Sequence, residues 1–95
     1  MTLIKKEVII KNKLGLHARP AATFVQAANK FESEITLKKA SEEVNGKSIM
    51  GIMMLAAKKG SKVLVVADGP DAEKAVEELS GLLMSEEELK PKGNK

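Results

Sequence analysis

Lys62-Val63-Leu64-Val65-Val66-Ala67, followed by Asp68-Gly69-Pro70-Asp71, is the stretch whose reading decides the fold. Lys59-Gly60-Ser61 before it and the Gly-Pro pair after it are turn signals, so the valine-rich run between them predicts a strand. Past Asp71 the apolar residues change period. Ala72, Ala75, Val76, Leu79, Leu82 and Leu83 fall on one stripe of a helix. Asp71 and Glu73 stand near the start of that helix, where negative charge is favoured. A strand leading into an amphipathic helix calls for packed layers. Beyond Met84 the chain is charged, ends Pro91-Lys92-Gly93-Asn94-Lys95, and is expected to fray from about residue 85.

Working back toward the N-terminus, Leu3 to Lys11 predicts another strand, rich in Ile and Val. Asn12 to Leu16, with Gly15, reads as a loop. Ala18, Ala21, Ala22, Val25 and Ala28 then fall at helical spacing. Pro20 is tolerated there because the first turn of a helix has no N–H partner to lose. Lys30 stands where a cation complements a helix C-terminus. Ser33 to Lys39 alternates as a half-buried strand does, and Glu43-Val44-Asn45 reads as a short strand before the turn signal Asn45-Gly46. Ser48 is placed to cap a short helix running to Leu55. The order is β-α-β-β-α-β-α, an α+β arrangement in two layers with an antiparallel or mixed sheet covered on one face.

A chain of 95 residues is read as one domain, residues 1–95. Hydrophobic residues at 43% and charged residues at 31% fit a globular domain rather than a disordered one. With two Phe and no Tyr or Trp, the core must be aliphatic, and stacking on single-stranded nucleic acid is disfavoured. No cysteine is present, so neither a disulfide framework nor a thiolate metal site is open. One histidine does not make a zinc site unaided. No apolar run reaches the ~20 residues that span a bilayer, and the N-terminus lacks a signal-peptide pattern. A cytoplasmic location, no cofactor and no metal are the expectations. The net charge of +3 is a mild excess of lysine that suits an acidic partner or a phosphate.

The chemistry concentrates at Leu14-Gly15-Leu16-His17-Ala18-Arg19-Pro20. His17 is the only histidine and stands just before a helix or at its first residue. Backbone N–H groups and the helix dipole favour negative charge there. An imidazolium is disfavoured at such a place, so the ring is neutral more often, and a neutral ring nitrogen is a nucleophile. Once it carries a phosphoryl group, the same amides can receive the phosphate oxygens. Arg19 adds a planar, permanently charged donor fork suited to phosphate. Phosphoryl transfer asks mainly for positioning and charge stabilisation. From these residues alone, an ordinary loop histidine beside a solvated arginine stays open as the alternative.

Gly15-Leu16-His17-Ala18-Arg19-Pro20 resembles the active-site motif of the histidine-containing phosphocarrier family, HPr, of the bacterial phosphoenolpyruvate-dependent phosphotransferase system. Val44-Asn45-Gly46-Lys47-Ser48-Ile49-Met50-Gly51 resembles that family's regulatory-serine segment, at the matching distance along the chain. The resemblance covers roughly residues 3 to 84. It implies an open-faced sandwich with a four-stranded antiparallel sheet, and a carrier rather than an enzyme. His17 would accept a phosphoryl group on Nδ1 from phosphorylated enzyme I and pass it to the A component of an enzyme II, with Arg19 supporting the phosphate. Ser48 would be phosphorylated by a kinase that also reverses the reaction. Ala18, Ala22, Lys47, Ile49, Met50 and Met53 would face partners, leaving Ile52 and Leu55 to the core. A monomer is expected. A nitrogen-related regulatory branch of the same family is the alternative to sugar uptake.

Two other leads are weaker. Gly46-Lys47-Ser48 looks like the end of a phosphate-binding P-loop, but the first glycine of that motif would fall on Ser41. Lys58-Lys59-Gly60-Ser61-Lys62 favours a small nucleic-acid-binding domain, against the missing aromatics and the interspersed acids.

Overall fold

The computed structural model describes residues 2–11, 18–55 and 57–85, with the backbone alone at Ala18 and Arg19. Its elements are β1 (Thr2–Ile9), α1 (Ala18–Ala28), β2 (Glu34–Lys39), β3 (Glu42–Asn45), α2 (Ile49–Leu55), β4 (Lys62–Gly69) and α3 (Ala72–Met84). The strands form one sheet in the order β1-β4-β2-β3, with every neighbouring pair antiparallel. The expected element order and the four-stranded antiparallel sheet are both present. The expected tail from Glu86 onward lies outside the described residues.

The valine run lies inside the sheet, between β1 and β2. Val63, Val65 and Ala67 are buried on the helix side, opposite Val8 of β1 and Leu37 and Ile35 of β2. β4 runs on to Gly69, past its expected end. A Cβ there would lie 2.6 Å from the Ser33 Cα, so only glycine lets the strand pass the start of β2 this closely. α3 packs on β1 and β4, while α1 packs on α2 and α3. Phe24, Leu37, Ile52, Leu55, Leu79 and Leu83 are fully buried between these layers. The stripe on α3 is as expected, save that Leu82 is only half-buried and the buried Ser80 joins it. On α1, Ala21, Val25 and Ala28 are buried as expected. Phe24 shares their face by spacing, and Ala27 is buried too because neighbours on two sides widen the covered arc.

Lys30 does not act as a last-turn cation of α1. The helix ends at Ala28, and Lys30 Nζ lies 2.8 Å from Glu78 Oε2 on α3. Both side chains are half exposed, so this pair adds little to stability.

Asp71 precedes α3 but makes no side-chain bond to it. Its carboxylate instead accepts hydrogen bonds from Ser33 Oγ at 2.6 Å, Glu32 N–H at 2.9 Å and Ser33 N–H at 3.0 Å. The α1–β2 connection is thereby fastened to the start of α3. The Ser33 hydroxyl bond, followed by the Glu32 amide bond, holds the Asp71 carboxyl below its ordinary value. A depressed folded-state value contributes stability that is present above the unfolded carboxylate range and is lost as pH falls through the folded value. Asp71→Asn is therefore expected to lower the melting temperature at pH 7, and its gap to wild type should close below about pH 4. Circular-dichroism melts across that range check this, and a gap that does not change with pH would contradict it.

Ser80 Oγ is fully buried and has no hydrogen-bond partner among the described residues. An unmatched buried hydroxyl is unfavourable, and alanine is the better helix former. Ser80→Ala is expected to raise stability by about 1 kcal/mol, read as a higher urea midpoint at unchanged slope.

Candidate functional site

α1 begins at Ala18, the residue after His17, so the positive end of an 11-residue helix opens where the first motif places its imidazole. No acidic side chain stands in its first turn, which leaves that end uncompensated by the helix itself. Pro20 is the third helical residue and is fully buried. Its missing N–H belongs to the turn that has no internal acceptor, so it starts the helix at no hydrogen-bond cost. His17, Gly15 and Leu16 lie outside the described residues. Arg19 stands in the first turn of α1. Ala22, one turn on, is half-buried.

The second motif is built residue by residue. Gly46 N–H donates to Ile35 O at 2.7 Å, and a Cβ on Gly46 would come within 2.5 Å of Ile35 Cγ2, so the chain leaves β3 against β2 only with glycine there. Asn45 Oδ1 accepts from Lys47 N–H at 2.8 Å, closing a side-chain turn. Ser48 N–H donates to Asn45 O at 3.1 Å. Ser48 Oγ then accepts from Gly51 N–H at 3.0 Å, and Ser48 O accepts from Ile52 N–H at 3.0 Å. Ser48 is thus the N-cap of α2, as its position predicts. Lys47 is half-buried, and its Nζ donates to Phe31 O at 2.7 Å, an internal tether that its sequence position does not reveal.

On α2, Ile52 and Leu55 are fully buried, and Ile49, Met50 and Met53 are exposed, as the resemblance implies. Met54 joins them at 72% exposure, more than the 69% of Met50. It is the residue missed on this face, although positions 50, 53 and 54 share one side of a helix by spacing alone. The result is a contiguous apolar patch directly after Ser48, on a helix packed against α1. An open cleft of about 370 Å³ between α1 and α3, lined by Thr23, Gln26, Ala27, Lys30, Glu78 and Leu82, contains neither motif. A second open cleft of about 350 Å³ is lined by Val44, Asn45 and Lys47 of the second motif, with Glu34, Ile35, Thr36 and Glu43.

The model of the family described as "PTS HPr component phosphorylation site" matches residues 4–85. The phosphocarrier protein HPr of Xylella fastidiosa is 49% identical over 80 residues, covering 84% of this chain and 90% of that protein. The crystal structure of HPr from Bacillus anthracis superposes with a TM-score of 0.85 at 45% identity, covering 88% of this chain and all of that one. The crystal structure of Bacillus subtilis Crh, a catabolite-repression protein seen as a domain-swapped dimer, superposes with a TM-score of 0.70 at 45% identity, covering 84% and 92%. With sequence and fold agreeing over nearly its whole length, the chain belongs to the HPr family of phosphotransferase-system phosphocarrier proteins, which carry a phosphoryl group rather than act as enzymes.

Proposed function

We propose that His17 is the phosphoryl acceptor and donor of a relay running from phosphorylated enzyme I to an enzyme II A component. The lone pair of the neutral His17 Nδ1 attacks phosphorus. A nitrogen–phosphorus bond forms as the bond between phosphorus and the donor group breaks, and the donor keeps that electron pair. The reverse exchange at the next protein regenerates the free imidazole. The supporting observation is the start of α1 at Ala18 with no acid in its first turn, which leaves amides and a positive dipole end for the phosphate oxygens. Arg19 supplies the cation that supports the phosphate. Ala18, Ala22, Lys47, Ile49, Met50 and Met53 supply the docking residues. Ser48, at its edge, is the regulatory phosphorylation site for a kinase/phosphorylase. The working form is a cytoplasmic monomer.

Incubation with enzyme I and phosphoenolpyruvate is expected to add the mass of one phosphoryl group, lost in acid and stable in base as a phosphohistidine is. No gain with a matched enzyme I would sink the reading.

The likeness to Crh favours a second reading, a regulatory relative that binds partners without carrying phosphate and dimerises. Light scattering on purified protein separates the two, since the carrier reading expects one copy per particle.

A further inference from the structure

We propose that the free edge of β1 is a self-complementary surface whose occupant is a second copy of this chain, and that Lys6 is the residue that holds the two copies apart. The proposal goes beyond the phosphocarrier reading and does not rest on it. β1 stands at one edge of the sheet, and its eight residues exceed the four of β3 at the other. Ile10 N–H donates to Ser61 O, toward β4, at 2.9 Å. By the alternation of an antiparallel ladder, Val8, Lys6, Ile4 and Thr2 turn their backbone groups the same way. Leu3, Lys5, Glu7 and Ile9 therefore present their N–H and C=O groups at the outer edge, where no described residue pairs with them. Such an edge is a template for another strand.

The side chains decide which strand fits. Leu3, Lys5, Glu7 and Ile9 lie on the sheet face away from the helices, since Val8 is buried on the helix side against Val63. Among the described residues the exposed large apolar side chains fall in two places. Ile49, Met50, Met53 and Met54 stand on α2, and Leu3 (54% exposed) and Ile9 (44%) stand here. Read in either direction the row runs apolar, charged, charged, apolar, with opposite charges at its centre. The longest overlaps of two antiparallel copies are centred on Lys5, Lys6 or Glu7. Centring on Lys5 sets Lys5 against itself and Leu3 against Glu7. Centring on Glu7 sets Glu7 against itself and Lys5 against Ile9. Of the three, only the register centred on Lys6 sets Leu3 against Ile9 and Lys5 against Glu7, each repeated by the two-fold axis. On the helix side it sets Ile4 against Val8. Its fault is Lys6 facing Lys6, like charges directly opposite. A lysine pointing inward on an edge strand opposes edge-to-edge pairing. Lys6 is exposed and makes no ion pair among the described residues that would neutralise it.

The experiment combines light scattering and cross-linking on the full chain. Wild type and Lys6→Glu are each expected to stay monomeric when alone. Their equimolar mixture is expected to dimerise about tenfold more tightly than either, because the lysine of one copy then faces the introduced glutamate of the other. The chain has no cysteine, so single-cysteine variants report the register. With oxidised glutathione as the oxidant, Lys6→Cys is expected to form a disulfide-linked dimer. Facing residues of a pair that exchanges no hydrogen bonds lie about 4.5 Å apart between Cα atoms, which a disulfide spans. Lys5→Cys and Glu7→Cys should lag well behind it. A mixture that stays monomeric would overturn the proposal, as would equal cross-linking at positions 5, 6 and 7. A mixed dimer with no cross-linking in Lys6→Cys would place the contact elsewhere and overturn it too.

Discussion

His17→Ala is expected to abolish phosphoryl uptake from phosphorylated enzyme I, with nothing left above background. No other side chain in this sequence substitutes for the imidazole. There is no cysteine to supply a thiolate and no second histidine to serve as nucleophile or base. Lysine amines are protonated at neutral pH, and serine or threonine hydroxyls need a base to react. The fold should survive, because α1 starts at Ala18 and its packing rests on Ala21, Phe24, Val25 and Ala28, all buried. Arg19→Ala separates holding the phosphate from accepting it. Loss of one preorganised donor to a developing phosphate charge costs on the order of a hundredfold in rate. Arg19→Lys restores part of this as a point charge without the planar fork. Both are checked by following acid-labile label over time, beside a melt showing an unchanged fold. Acid-labile phosphate retained in His17→Ala would remove His17 from the relay.

The elements legible in the sequence are those carried by period and by caps. β4 and α3 show because their apolar spacing switches at Asp71, and α2 shows because Ser48 precedes an apolar run. What stayed hidden depends on reach across the chain. Asp71 looks like a helix-start acid, yet its carboxylate bonds residues 38 and 39 positions away. The resemblance turns Lys47 toward partners, yet its Nζ reaches Phe31 O, 16 positions back. Phe24 is legible by spacing, since with Ala21, Val25 and Ala28 it completes an i, i+3, i+4, i+7 stripe, whereas Ala27 is buried because α1 is covered from two sides. At the site, the short spacing of the first motif leaves phosphate chemistry and an ordinary loop histidine both open, and only the family resemblance chooses between them and names the phosphoryl donor.

Ser48→Asp is expected to depress phosphoryl uptake on the order of a hundredfold through weaker docking, while Ser48→Ala leaves uptake near wild type. The two changes act on different links. Aspartate is as good an N-cap as serine, so it can keep a bond to Gly51 N–H and place its charge at the favourable end of α2. Stability should hold. The same charge, however, sits beside exposed Ile49, Met50 and Met53. A partner that covers that patch must strip water from an unpaired carboxylate, and any acid on its rim is repelled, at a cost of several kcal/mol. Alanine reverses the balance. It removes the cap and costs about 1 kcal/mol of stability, and it leaves the apolar patch open. A true phosphoserine, with about −1.5 to −2 charges, should exceed the aspartate effect. The measurement is KM for enzyme I set against the urea midpoint of each variant. Aspartate should raise KM with the midpoint unmoved, and alanine should lower the midpoint with KM unmoved. If both variants change KM in proportion to lost stability, Ser48 is a cap and nothing more, and the patch beside it is not the surface on which the partner sits.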